Sequence, residues 1–182
     1  MSKLIGVLGY QGGCDLYISA LNKLNIKNKK ILYEDDFSDL DGLIMPGGES
    51  SVQYQYCIKY QLIDKIKAFA KTGKPILGTC AGSILLSNIK SERVNGLELI
   101  DISVERNIYG SQFYSGQKTS DKGNEIVFIR APGITNIGPN VEILDTYKNM
   151  PVYVKQSNIH CTTFHPEVMN LCRLNLIYHI FG

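Results

Sequence analysis

The sequence predicts an α/β protein with three layers, in which a mostly parallel, mixed central sheet carries helices on both faces. Two observations predict this class. The first half of the chain alternates short apolar strand segments with segments of helical periodicity, which is typical of βαβ units and a parallel sheet. The second half contains short runs of alternating hydrophobicity, which indicate antiparallel or mixed strands added to the same sheet.

The elements of the first half follow from hydrophobic period and from residues that stop helices. The longest helical pattern ends at Gly73, just before Pro75, where the backbone can no longer continue a helix. In order, the predicted elements are a strand at 3–9 (KLIGVLG), a helix at 15–24, strands at 29–34 and 41–48 (DGLIMPGG), one helix at 52–72, and a strand, turn and helix at 75–88 (PILGTCAGSILLSN).

The elements of the second half are shorter. They are the runs at 97–107, 125–132, 141–147, 151–156 and 160–167, followed by an apolar terminal helix at 170–181. No repeat, low-complexity tract or linker interrupts the chain, so we expect residues 1–182 to form a single domain. Because sites in open α/β sheets form at the carboxyl ends of strands, the reactive residues should follow strands.

Composition excludes several classes of function. The 182 residues are 44% hydrophobic and 20% charged, and a net charge of +2 gives no reason to expect nucleic acid or a membrane surface as a partner. No apolar run reaches the ~18 residues that a membrane span needs. The five cysteines form no close pair, which favours a reducing cytoplasm over a disulfide scaffold or a zinc site.

The segment Gly78-Thr79-Cys80-Ala81-Gly82 has the form of a nucleophile elbow in which sulfur replaces the usual serine oxygen. Glycines tolerate the crowded turn, and the helix that follows presents its N-terminus to the sulfur, which favours the thiolate. The alternative is structural, because a cysteine also packs as a small hydrophobic side chain.

A thiol nucleophile needs a base, and the chain has three histidines. His179 lies on the apolar terminal helix, where packing or surface exposure is the simplest interpretation, and His160 could be a loop residue. His165 ends a strand-like run, and Glu167 stands two residues further on. Residues i and i+2 of an extended segment project to the same side, so Glu167 could orient the imidazole, in an arrangement stiffened by Pro166.

The segment IMPGGESS (44–51) ends a predicted strand with two glycines. The structural interpretation is a turn followed by a helix capped by Ser50 or Ser51. The functional interpretation is a loop whose exposed N–H groups, notably that of Gly48, help to form an oxyanion hole. Both can hold together.

Six motifs occur in order across nearly the whole chain: GVLGYQGG, DGLIMPGGESS, GTCAG, VERNIYGSQ, VFIRAP and FHPE. Together they resemble the glutaminase subunits of pyridoxal 5'-phosphate synthase, which are class I, triad-type glutamine amidotransferases. Most class I relatives carry G-x-C-x-G-x-Q, whereas Ile84 stands here in place of the glutamine, as in the vitamin B6 branch.

The resemblance implies a role for each motif. Cys80 would attack the side-chain carboxamide of L-glutamine, His165 would shuttle protons and Glu167 would orient His165. The N–H groups of Ala81 and Gly48 would stabilise the oxyanion, and water would hydrolyse the thioester. The residues implied in binding glutamine are Gly48, Glu49, Ser50, Arg106, Ile129 and Arg130. Gln11 would couple the site to the partner.

By the same resemblance, ammonia passes to a (β/α)8-barrel synthase subunit that builds pyridoxal phosphate. That compound is the product of the complex, so no cofactor and no metal are implied for this chain. The sequence departs from the family at four positions that put the details of partner contact in doubt: Tyr17, where a histidine is common, and Tyr114, Gly116 and Gln117, where Asp, Phe and Glu are common.

Three other functions fit these residues less well. The glutaminase of another biosynthetic amidotransferase would be expected to keep the glutamine after the elbow and to lack FIRAP. A cysteine peptidase would have no use for Glu49, Arg106 and Arg130, which suit a free amino acid. A catalytically silent regulatory subunit of the synthase would have no need of a complete Cys80, His165 and Glu167 set.

Overall fold

The computed structural model describes residues 3–105, 116–168 and 174–182. Its strands are β1 (Leu4–Leu8), β2 (Lys27–Ile31), β3 (Gly42–Met45), β4 (Ile76–Thr79), β5 (Ile102–Glu105), β6 (Gly116–Thr119), β7 (Glu125–Phe128), β8 (Gly133–Ile137), β9 (Glu142–Tyr147), β10 (Met150–Gln156) and β11 (Ile159–Thr162). Its α-helices are α1 (Cys14–Lys23), α2 (Ser50–Lys59), α3 (Leu62–Ala70), α4 (Ala81–Leu86) and α5 (Asn175–Phe181).

The central sheet has seven strands in the order β2-β1-β3-β4-β11-β10-β9. The first five of these are parallel, whereas β10 runs antiparallel to both β11 and β9. Side chains alternate between the two faces. One face packs against α1 and α5, and the other packs against α2, α3 and α4. The predicted fold class, a mostly parallel, mixed sheet with helices on both faces, is confirmed.

One prediction about the second half is wrong. β5 pairs with β8 and β6 pairs with β7 in two separate two-stranded sheets, so these four strands do not extend the central sheet. Each of β5 and β7 alternates buried residues with more exposed ones. Alternation reveals that a strand covers a core with one face, but it does not reveal which strand lies beside it.

The single helix predicted over 52–72 is two helices. α2 ends at Lys59 and α3 begins at Leu62, with Gln61 between them in the left-handed region at φ 56°. α3 buries Leu62, Ile66 and Phe69 in the core on the same face of the sheet as α2. No glycine or proline marks the break, so the sequence carried no stop signal there.

The predicted terminal helix agrees over the residues that can be compared, because α5 spans Asn175–Phe181 and residues 169–173 lie outside the described ranges. Among the helices described, none combines the length and the apolar character that crossing a membrane requires.

The contact between α4 and β3 leaves no room for a side chain at Gly82. A Cβ atom built there would lie 1.9 Å from the carbonyl oxygen of Met45. We expect Gly82→Ala to lower the free energy of unfolding by about 1–3 kcal/mol, because backbone must move to relieve the clash. Urea denaturation measures this change. The control Gln55→Ala, at an exposed position of α2, should change the free energy of unfolding by less than about 0.5 kcal/mol, and an equally small loss in Gly82→Ala would contradict the packing argument.

Candidate active site

Cys80 lies at a strained turn between β4 and α4. Its backbone has φ 49° and ψ −101°, a conformation that is costly for a residue with a Cβ and that clusters at functional sites. The side chain is only 6% exposed. The glycines on either side are required, because a Cβ at Gly78 would lie 2.5 Å from Cδ1 of Leu86, and Gly82 is equally crowded. The strand, turn and helix expected for a nucleophile elbow are therefore present.

The turn is fastened to the neighbouring strand. The N–H of Cys80 donates to the carbonyl of Thr162 at 2.8 Å. The hydroxyl of Ser83 is 2.8 Å from the carbonyl oxygens of both Gly78 and Thr162. These bonds tie the carboxyl ends of β4 and β11 together. The Cys80 thiol itself lies 4.0 Å from the carbonyl oxygen of Ile129, at the limit of a sulfur hydrogen bond.

His165 follows β11, and its N–H donates to the carbonyl of Val127 at 2.9 Å. Its Nδ1 lies 2.8 Å from Oε1 of Glu167, and both side chains are buried. The contact expected from the sequence is present, but its predicted geometry is wrong. Pro166–Val168 forms a 3-10 turn instead of an extended segment, and the fixed φ of Pro166 suits such a turn.

The surroundings of His165 favour its protonated form. Burial lowers the pKa of the imidazole, but interactions with Cys80 and Glu167 outweigh burial and raise the pKa to about 10. Nδ1 is occupied by Glu167, so Nε2 is the atom left for the thiol. Nε2 is buried and has no hydrogen-bond partner among the described residues, and Cys80 lines the same cavity as His165.

The other two histidines lie elsewhere. His160 is inside β11, not in a loop as the sequence allowed, and its Nδ1 is 2.7 Å from the hydroxyl of Tyr153. Burial lowers its pKa to about 4, so it is neutral at physiological pH. His179 is exposed on α5, in agreement with the surface interpretation.

Two glycine-containing loops meet beside the triad. The loop at 10–13 follows β1 and the loop at 46–49 follows β3, and the N–H of Gly13 donates to the carbonyl of Gly47 at 3.0 Å. A Cβ at Gly12 would lie 1.9 Å from that same carbonyl oxygen. Gly48 adopts φ 149°, and a Cβ there would lie 2.1 Å from Oε1 of Gln11. Gln11 therefore lies directly against the predicted oxyanion residue.

Gln53 holds these two loops together, a role that the sequence pattern does not predict. The residue is 1% exposed, and its Nε2 lies 3.1 Å from the carbonyl oxygen of Pro46 and 3.4 Å from that of Gly47 in one loop, and 3.5 Å from that of Gln11 in the other. A glutamine in the first turns of a helix is common, and only the buried position of the residue reveals what it contacts.

The cap of α2 also differs from the expectation. Glu49, not Ser50 or Ser51, is the N-cap residue, and its Oε1 accepts from the hydroxyl of Ser51 at 3.1 Å and from its N–H at 3.5 Å. A carboxylate at this end of a helix is favoured by the helix dipole. One carboxylate oxygen is thus committed to the helix at the edge of the site.

A cavity of about 320 Å³ opens above Cys80. The predicted site residues that line it are Gly48, Glu49, Ser50, Cys80, Ile129, Arg130, His165 and Glu167. Ala81 and Gln11 are not among the residues that line it, and Arg106 falls outside the described residues. In the part of the chain that the structure describes, no group of three or more His, Cys, Asp or Glu side chains is placed to hold a metal ion.

A solved structure described as a glutamine amidotransferase superposes on this chain with a TM-score of 0.86 at 32% identity, and 96% of each chain is covered. Another solved structure, of a glutamine amidotransferase from Thermotoga maritima, gives a TM-score of 0.62 at 15% identity. That match covers 97% of this chain and 82% of the other, and it speaks to the fold alone.

Two curated relatives are named pyridoxal 5'-phosphate synthase subunit PdxT. The one from Caldicellulosiruptor saccharolyticus is 44% identical, with 91% of each chain covered. The one from Francisella philomiragia is 42% identical, covering 92% of this chain and 93% of the relative.

The fold, with a cysteine, a histidine and a glutamate gathered at the carboxyl edge of its parallel strands, is that of a class I glutamine amidotransferase. The model of the SNO glutamine amidotransferase family matches residues 7–178. The chain belongs to that family.

We expect the titration of His165 to depend on Cys80. Cys80→Ala should lower the pKa of the imidazole toward its ordinary value of about 6.5, since one of the two interactions that raise it is removed. NMR titration of the histidine ring protons measures this. Cys57→Ala, which removes a buried thiol on α2, is the matched control and should leave His165 unchanged. An unchanged midpoint in Cys80→Ala would contradict the coupling of the two groups.

Proposed function

We propose that this chain is the glutaminase subunit of a pyridoxal 5'-phosphate synthase, which hydrolyses L-glutamine to L-glutamate and ammonia. The observation that carries the proposal is the Cys80 elbow with His165 and Glu167 at the floor of the cavity. Family membership and the names of the curated relatives support the same reaction. The four described cysteines are unpaired, which fits the reducing cytoplasm where we place the protein.

The reaction proceeds in two halves. The sulfur of Cys80 attacks the carboxamide carbon of glutamine as the thiolate, because its proton already rests on Nε2 of the protonated His165. The tetrahedral intermediate collapses, the C–N bond breaks, and His165 returns the proton so that ammonia leaves. Water then adds to the thioester while the now neutral His165 takes its proton, the C–S bond breaks, and glutamate leaves with Cys80 again a thiolate beside the protonated histidine. Glu167 accepts from Nδ1 and thereby keeps Nε2 turned to the sulfur.

The negatively charged oxygen of the tetrahedral intermediate needs hydrogen-bond donors to stabilise it. The N–H of Cys80 is bonded to Thr162, whereas Ala81 begins α4, where helix N–H groups lack partners within the helix. We assign Ala81 and Gly48 as the two donors of the oxyanion hole. One such donor is typically worth about 3 kcal/mol of barrier.

The cavity walls suit a free amino acid. Glu49 would pair with the α-amino group, while Arg130, with Arg106 by the family resemblance, would pair with the α-carboxylate. Ser50 lines the cavity, and its hydroxyl is buried without a hydrogen-bond partner among the described residues. Buried polar atoms in this condition favour a ligand that supplies the missing bonds. Ile129 borders the opening and would lie against the aliphatic part of the substrate.

The product ammonia is proposed to pass to a (β/α)8-barrel synthase subunit. Gln11 would couple that partner to the oxyanion loop, because its side chain lies directly against Gly48. Docking that moved the loop at 10–13 would move Gly48 as well, since the two loops are bonded to each other. Of the residues that depart from the family, Gly116 and Gln117 lie on β6, in the small sheet with β7, and Tyr114 lies outside the described residues.

Ammonia release from glutamine by the purified protein, with and without a barrel-type synthase subunit, tests this function. We expect release to rise with the partner and to be lost in Cys80→Ala, since no other described thiol lines the cavity. Cys57→Ala should retain activity. A wild-type protein that releases no ammonia under either condition would instead support the silent regulatory subunit.

Glu49→Gln tests substrate recognition. The change keeps shape and most of the capping capacity but removes the charge proposed to hold the α-amino group, so the KM for glutamine should rise about tenfold or more with a smaller change in kcat. Steady-state kinetics in the complex measures both. Glu34→Gln, at an exposed ion pair with Lys65, is the control and should change neither. A fall in kcat alone would reject the binding role.

A further inference from the structure

Three carbonyl oxygens converge on one buried side-chain amide, that of Gln53 on α2. Its nitrogen lies 3.1 Å from the carbonyl oxygen of Pro46 and 3.4 Å from that of Gly47. The same nitrogen lies 3.5 Å from the carbonyl oxygen of Gln11. Only a donor can face three acceptors, so the NH2 end of the amide points toward them. An ionised carboxylate at this position would instead set oxygen against oxygen.

The carbonyl of Gly47 has a second donor, which comes from the other loop. The N–H of Gly13, at the start of α1, donates to it at 3.0 Å. This carbonyl is therefore held from two helices, α1 and α2. A Cβ at Gly47 would clash with Cε1 of His165, so the anchored residue lies directly beside the imidazole of the triad.

Anchoring this carbonyl also fixes the direction of the next N–H. The peptide between Gly47 and Gly48 is trans, so its C=O and N–H groups lie in one plane and point in opposite directions. The C=O is directed at Gln53, which does not line the cavity, whereas Gly48 does line it. The N–H of Gly48 thus leaves the peptide on the side away from Gln53. Among the described residues nothing accepts from this N–H, so it is available to a substrate oxygen.

We propose that Gln53 is a positioning residue for the oxyanion hole. Two consecutive glycines change φ and ψ at little cost, so the peptide between them needs outside anchors to keep one orientation. Gln53 supplies such an anchor, and it thereby keeps the N–H of Gly48 directed at the oxygen of the tetrahedral intermediate. It acts through the loop and does not touch the substrate. This role rests on the proposed function, because it takes Gly48 as an oxyanion donor.

Gln53→Met removes the donor with little change of side-chain length, and Gln55→Met, at an exposed position of the same helix, is the matched control. With the synthase subunit present, Gln53→Met should lower kcat about tenfold, less than the roughly 100-fold loss expected when a whole oxyanion donor is removed. The KM for glutamine should stay within about twofold, because no substrate contact is lost. The amide NMR resonance of Gly48 should shift and its hydrogen exchange should become faster. Gln55→Met should leave all four quantities unchanged.

Gln53→Leu also lacks a donor, and it should give the same pattern if Gln53→Met does not fold. Wild-type kcat with an unshifted Gly48 resonance in either variant would overturn the proposal. A KM that rises while kcat stays constant would also overturn it, because that pattern belongs to a substrate contact. The proposed function fails separately, on a wild-type chain that releases no ammonia with the synthase subunit present, and the Gly48 resonance then still tests whether Gln53 fixes the loop.

Discussion

The site depends on the parallel pairing of β4 with β11. That pairing sets Thr162 opposite Thr79, so the two chains leave the sheet side by side. One continues into the Cys80 turn and the other into the segment that carries His165. Cys80 and His165, 85 positions apart in the chain, are brought together in this way by ladder hydrogen bonds, and the Ser83 hydroxyl lies within hydrogen-bond distance of carbonyl oxygens on both strands at the same edge. A register shift of one residue would turn every side chain of a strand to the opposite face.

Much of this arrangement could be predicted from the sequence because it is encoded locally. The glycines around Cys80 mark a turn that few other residues tolerate, and their spacing predicts the nucleophile elbow. The spacing of His165 and Glu167 predicted that their side chains are in contact. That prediction assumed an extended segment, whereas Pro166–Val168 forms a 3-10 turn. The alternation of strands and helices gave the fold class, and the order of six motifs indicated the family that the comparisons then showed.

What could not be predicted depends on contacts between distant parts of the chain. Gln53 and Tyr17 resemble ordinary helix residues until the fold buries Gln53 against the two loops and bonds Tyr17 to Thr79, the residue before Cys80. The break at Gln61 has no glycine or proline, so no local stop signal marks the point where the left-handed residue separates α2 from α3. The pairing of β5 with β8 and of β6 with β7 could not be predicted either. Hydrophobic alternation indicates which face of a strand is buried, but it does not indicate which strand pairs with it.

The bond between Gly13 and Gly47 joins more than two loops. α1 begins at one of them and covers one face of the sheet, while α2 follows the other and covers the opposite face. This hydrogen bond therefore links the two helical layers directly at the carboxyl edge of the sheet, with no strand between them. We therefore expect a displacement at the start of α1 to be transmitted to the start of α2, which couples the two helical layers at the catalytic edge.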